Sequence, residues 1–106
     1  MTTLGESQYT AAKMQGGGAS SLGYQQITDL SASVGLTVPV GSTLAVIQAE
    51  SQNVRWRDDG TDPTATVGMR LEPGDLFFYT GSLSGIKFIE EAASGKLNIS
   101  YFGAGT

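Results

Sequence analysis

From Tyr24 onward the chain never sustains an apolar run: each is a few residues long and is closed by Gly, Pro, Asp or Ser before the next begins. The runs recur at close to the 8 to 12 residues that separate strands in sandwiches and barrels. No apolar period of the helical kind lasts beyond one turn, so helices are not expected. Strands are expected at residues 24–30, 36–40, 43–50, 54–57, 66–71, 76–79, 86–90 and 96–101. Alternation assigns their faces, because successive side chains of a strand point to opposite sides. Val54 and Trp56 share one face and Arg55 and Arg57 the other, while Leu97, Ile99 and Tyr101 point inward and Lys96, Asn98 and Ser100 outward. The run Leu44-Ala45-Val46-Ile47 is apolar on both faces and marks a central strand; Leu36, Val38 and Val40 share one face of their strand, which Pro39 confines to an edge or a terminus.

The turns carry signatures of their own. Asp58-Asp59-Gly60 is read as a chain reversal, because glycine enters positive φ without steric cost. In Glu72-Pro73-Gly74-Asp75, Pro then Gly suits the two central positions of a type II turn. Gly68 and Gly81 are read as backbone devices at a bulge or turn. A chain of 106 residues has room for one core. The expected fold is therefore all-β: a β-sandwich of about eight strands, jelly-roll-like, over residues 23–106. No internal repeat suggests a propeller or solenoid. Residues 1–22 contain Gly16-Gly17-Gly18 and Ala19-Ser20-Ser21 with few large apolar groups, so they are read as a flexible Gly/Ser-rich N-terminal arm.

The residue inventory removes most chemistry. Histidine and cysteine are both absent, which takes away the commonest general base, the usual nucleophilic dyads and the usual zinc ligands. A carboxylate-only mechanism would have to draw on Glu50, Asp58, Asp59, Asp62, Asp75, Glu90 and Glu91, and their spacing favours no pair. No enzymatic activity and no cofactor are expected. A formal charge of −4 argues against phosphate backbones and anionic membranes as partners. No stretch approaches the 18 apolar residues of a membrane span, and residues 1–18 lack the pattern of a signal peptide. Synthesis in the cytoplasm is expected, with export inside a larger particle compatible with the same pattern.

What remains is binding. The candidate interaction residues are Trp56, Arg55, Arg57, Asp58, Asp59 and Tyr79. Asp58-Asp59-Gly60-Thr61-Asp62 is read as a charged turn whose carboxylates pair with Arg55 or Arg57; calcium is the alternative, although the run departs from the helix-loop-helix pattern. Trp56 is read as a core or interface residue on the strength of Val54 beside it, the alternative being a sugar-binding platform with Tyr79 and Tyr101. Low surface charge and flat apolar strands leave edges that homo-oligomerisation or docking on a larger assembly would cover.

The run Val38-Pro39-Val40-Gly41-Ser42-Thr43-Leu44-Ala45-Val46-Ile47-Gln48-Ala49-Glu50, followed by Val54-Arg55-Trp56-Arg57-Asp58-Asp59-Gly60-Thr61, resembles a family of small phage and prophage proteins. The similarity continues through Pro63-Thr64-Ala65-Thr66-Val67-Gly68-Met69 and Leu97-Asn98-Ile99-Ser100-Tyr101, and covers residues 24–103. The segment before it is longer than in the shorter members. The resemblance implies a tailed-phage virion accessory protein, of which capsid decoration, or cement, proteins are one kind. The partners it implies are the major capsid protein or other virion proteins, with a homo-oligomer, a dimer or trimer, as the form such proteins commonly take. The alternative is a tail- or fibre-associated module that binds host-surface carbohydrate.

Overall fold

The computed structural model describes residues 19–104, which hold eight strands and no helix. The strands are β1 (Ala19–Ile27), β2 (Val34–Gly35), β3 (Ser42–Glu50), β4 (Val54–Arg57), β5 (Met69–Leu71), β6 (Leu76–Tyr79), β7 (Lys87–Glu90) and β8 (Lys96–Ala104). They form two four-stranded sheets with the orders β1-β8-β3-β6 and β2-β7-β4-β5. Every ladder between strands is antiparallel, and four of them are nested: β1 with β8, β2 with β7, β3 with β6, β4 with β5. Successive strands alternate between sheets except at the β4–β5 connection, so the chain behaves as one long hairpin folded over on itself.

Period-two alternation decides what the two sheets enclose. From the first sheet, Ala45, Ile47 and Ala49 of β3, Tyr79 of β6, and Leu97, Ile99 and Tyr101 of β8 are buried; from the second come Val54, Leu71 and Phe88. Ile27 of β1 and Leu30, Leu83 and Ile86 in the connections complete this core. Small residues face large ones across the ladder, Ala45 opposite Tyr101 and Ala49 opposite Leu97. Each fully buried Ile, Leu or Phe contributes roughly 1.5–3 kcal/mol relative to exposure. β3 lies between β8 and β6, the central position its two-sided apolar run requires.

Several boundaries differ from the sequence reading, each for a physical reason. β1 begins at Ala19, so Ala19, Ser20, Ser21 and Leu22 belong to the sandwich rather than to an arm. β8 extends to Ala104 and offers ladder partners there, Ala104 to Ala19 and Gly103 to Ser20; a ladder needs backbone groups and not apolar side chains. The remainder of the expected arm lies outside the described residues. The strand expected at 36–40 is only Val34–Gly35. Leu36 and Val38 pack on the core, but Val40, expected on the same face, is exposed; Pro39 cannot donate to a ladder, and its carbonyl accepts from the Ser42 N–H (3.1 Å) in a turn that ends the alternation. The Gln25 side chain stands in for a strand partner: its Oε1 accepts the Thr37 N–H (3.1 Å).

β5 is shorter than the expected 66–71 because Thr64 and Val67 close a turn on each other, with N···O distances of 2.9 and 3.2 Å. Asp58-Asp59-Gly60 therefore opens a loop of residues 58–68 instead of a tight hairpin. The Pro73-Gly74 turn forms as expected: Gly74 has φ 91°, and the Asp75 N–H donates to Glu72 O (3.0 Å). At Gly81 the requirement is space, since an added Cβ would overlap the Tyr79 hydroxyl and ring.

Candidate interaction surfaces

The six candidate residues do not converge on one site. Trp56, Tyr79 and Asp58 come together at one side of the sandwich. Trp56, inward on β4, stacks on Phe77 of β6 with centroids 4.7 Å apart and planes at 21°, and the Tyr79 ring completes the group at 5.5 and 6.1 Å. This cluster ties the second sheet to the edge of the first, which makes Trp56 the inter-sheet contact that Val54 beside it suggested. The buried Tyr79 ring leaves its hydroxyl to donate to Asp58 Oδ2 (2.8 Å). Burial and the neighbouring Asp58 carboxylate both raise the Tyr79 pKa above its ordinary value. Tyr101 is 1% exposed and burial pushes its pKa up to about 12, with its hydroxyl donating to Gln25 Oε1 (2.6 Å). The platform of Trp56, Tyr79 and Tyr101 is therefore not formed: two of its rings are interior and the third is stacked.

Arg57 pairs with Asp59 as the charged-turn reading expects, its Nε and NH2 reaching the two carboxylate oxygens at 3.0 and 2.5 Å. The hydrogen bond from Arg57 lowers the Asp59 pKa, and the same bond raises that of Arg57. Among the described residues no three acidic side chains gather as a metal site would require. Arg55 turns instead to Glu91, which no sequence spacing indicated. Arg55 and Arg70 lie directly opposite each other on β4 and β5, an arrangement that repels unless a negative charge intervenes. Glu91 supplies it. Its carboxylate meets Arg55 Nε at 2.5 Å and Arg70 Nε at 3.1 Å, and accepts from Asn53 Nδ2 at 3.2 Å. Burial acts to raise the Glu91 pKa, but these hydrogen bonds and the two arginine charges outweigh it and hold the carboxyl below its ordinary range. Arg55 NH1 also donates to Gly68 O (3.0 Å), anchoring the 58–68 loop.

The outer faces of the two sheets contrast. On the second, alternation directs Arg55, Arg57, Arg70 and Lys87 outward, four of the five cations between residues 19 and 104. On the first, registered rows run Tyr24–Ser100–Val46–Phe78 and Gln26–Asn98–Gln48–Leu76, with Phe102 opposite Leu44 beyond them. Tyr24 is 65% exposed, Phe78 62% and Leu76 59%. Asn98 organises the polar part: its Oδ1 accepts from Tyr24 Oη (2.7 Å) and Gln26 Nε2 (2.9 Å), and its Nδ2 donates to Glu50 Oε1 (3.0 Å). Charge appears on this face only at its end, where Glu50 and Lys96 are opposite each other. Sequence reasoning did not single this face out, although Leu76-Phe77-Phe78-Tyr79 carried the signal: a four-residue apolar strand must put two of its large side chains outside. The chain matches no protein-family model, no curated protein and no solved structure.

Proposed function

We propose that this chain is a structural protein of a tailed-phage virion, a capsid decoration protein that stabilises the shell by docking on it. The observation that carries the reading is the outer face of the first sheet, broad, almost uncharged, and lined by exposed Tyr24, Leu76 and Phe78 with Val46 between them and Leu44 and Phe102 beyond. A surface of this composition is stabilised when a protein partner removes it from water. Two features agree with it. The sequence resembles small phage proteins over residues 24–103, and the nested strand order is the one a jelly roll has, an architecture used in viral capsid domains. The partner in this reading is the major capsid protein. The carbohydrate-binding alternative needs an exposed aromatic face, and the aromatic rings that offer one are Tyr24 and Phe78, not Trp56 or Tyr79. A quantitative protein inventory of purified particles tests the proposal. Copy numbers matching the shell support it, absence from washed virions overturns it, and Phe78→Glu is expected to fold yet bind particles more weakly.

A further inference from the structure

We propose that two copies of this chain pair through the free edge of β1, antiparallel across a twofold axis, joining their first sheets into one eight-stranded sheet. The inference goes beyond the proposed docking on a shell and does not depend on it. The two sheets present four edges: β1 with nine residues, β6 with four, β5 with three and β2 with two. Short edges are poor templates for another chain, and β1 alone is long. Soluble proteins guard long edges with Lys or other charges, with Pro, or by covering them. β1 reads Ala-Ser-Ser-Leu-Gly-Tyr-Gln-Gln-Ile and contains no charge and no proline. Its one irregularity, between Ser21 and Gly23, is in the ladder to β8. On its other side, no backbone group of another element bonds to it among the described residues; Thr37 reaches β1 only through the Gln25 side chain.

The missing charges point to a second copy as the occupant. The chain is acidic overall, so approach of two copies through most surfaces places carboxylates near one another. β1 is a nine-residue stretch where none intervenes. An isologous contact needs a surface complementary to itself, and an antiparallel strand edge satisfies this by construction, each N–H meeting a C=O of the twofold mate. In the register that keeps residues of the same sheet face opposite one another, Ser20 would meet Gln25 and Ser21 would meet Tyr24, polar and neutral on both sides, while Gln26 would meet Ala19. Pairing also extends the outer row Tyr24–Ser100–Val46–Phe78 across the axis, doubling the apolar face.

The test is sedimentation equilibrium of the full chain from micromolar to millimolar concentration, with amide hydrogen exchange at both ends of the range. A monomer–dimer equilibrium is expected, with β1 amides protected only at high concentration. The double variant Ser21→Lys/Gln26→Lys, at two exposed positions of β1, is expected to weaken the dimer at least tenfold while Trp56 fluorescence reports an intact sandwich. Met69→Lys, at an exposed position on edge strand β5 of the second sheet, leaves the dimer unchanged. A folded monomer throughout, or a dimer indifferent to the edge lysines, overturns the proposal. So do β1 amides equally protected at both concentrations, since the chain would then cover its own edge. A monomer that still occupies particles refutes this inference alone, and a dimer absent from particles refutes only the function.

Discussion

Tyr101→Phe separates two contributions of one buried hydroxyl. At neutral pH the substitution removes the donor to Gln25 Oε1, 2.6 Å away, but Gln25 keeps its bonds to Thr37, so the loss is that of one ordinary hydrogen bond, about 0.5–1.5 kcal/mol. At high pH the effect reverses. The phenol ionises near 10.0 in the unfolded chain and at about 12 in the folded one, so between these values the folded state holds a proton that the unfolded state has released. Stability is therefore complete below pH 10, falls as pH rises toward about 12, and levels off above it. At about 1.4 kcal/mol per pH unit, the fall attributable to Tyr101 is on the order of 2–3 kcal/mol. The phenylalanine variant should start slightly less stable and lose less, so the two curves converge and then cross between pH 10 and 12. Urea denaturation followed by Trp56 fluorescence at a series of pH values measures both curves. Parallel curves through that window would mean the Tyr101 proton is not held by the fold, and the reasoning would be wrong.

Gly81→Ala forces an added Cβ into the Tyr79 phenol and displaces it from Asp58, so a loss of about 1–3 kcal/mol is expected in urea denaturation; an unchanged midpoint would show that the turn yields freely. Glu91→Gln leaves Arg55 and Arg70 opposed and lowers the denaturation midpoint at neutral pH. Because the Glu91 pKa is depressed in the folded state, its contribution is present above the ordinary carboxylate range and disappears as pH falls through the folded value, so variant and parent should converge in acid. Ser51→Gly and Ser94→Gly relieve two non-glycine residues held at φ 75°, and each is expected to stabilise by about 1 kcal/mol, read as a higher thermal midpoint. A lower midpoint in either variant would place the cost of chain entropy above the strain.

Local rules made much of the sandwich legible. The inward set Leu97, Ile99 and Tyr101, the sharing of a face by Val54 and Trp56, the Pro73-Gly74 turn and the Arg57–Asp59 pair each involve residues a few positions apart. Period two and turn chemistry act over that range. Leu36, Val38 and Val40 mark the limit: alternation gave them one face and the first two do pack on the core, yet Pro39 denied the segment a ladder and Val40 is exposed, so a pattern of side chains is not evidence of a strand.

Of the candidate site, less was legible. Arg55 could be seen to face outward, but its partner Glu91 is 36 positions away and meets it only because β4 and β7 are neighbours. The same holds for the apolar outer face, assembled from four strands spread between Tyr24 and Phe102, and for the start of β1, set by how far β8 runs. Residue order determined that this chain would be all β, which side chains would alternate, and that it lacks histidine and thiol chemistry. Only the tertiary structure decided which strands became neighbours, which of Phe77 and Phe78 packed against the core, and which strands lie at the sheet edges. Alternation is a property of one strand, whereas a face or an edge belongs to a sheet, and a sheet exists only once distant segments have paired.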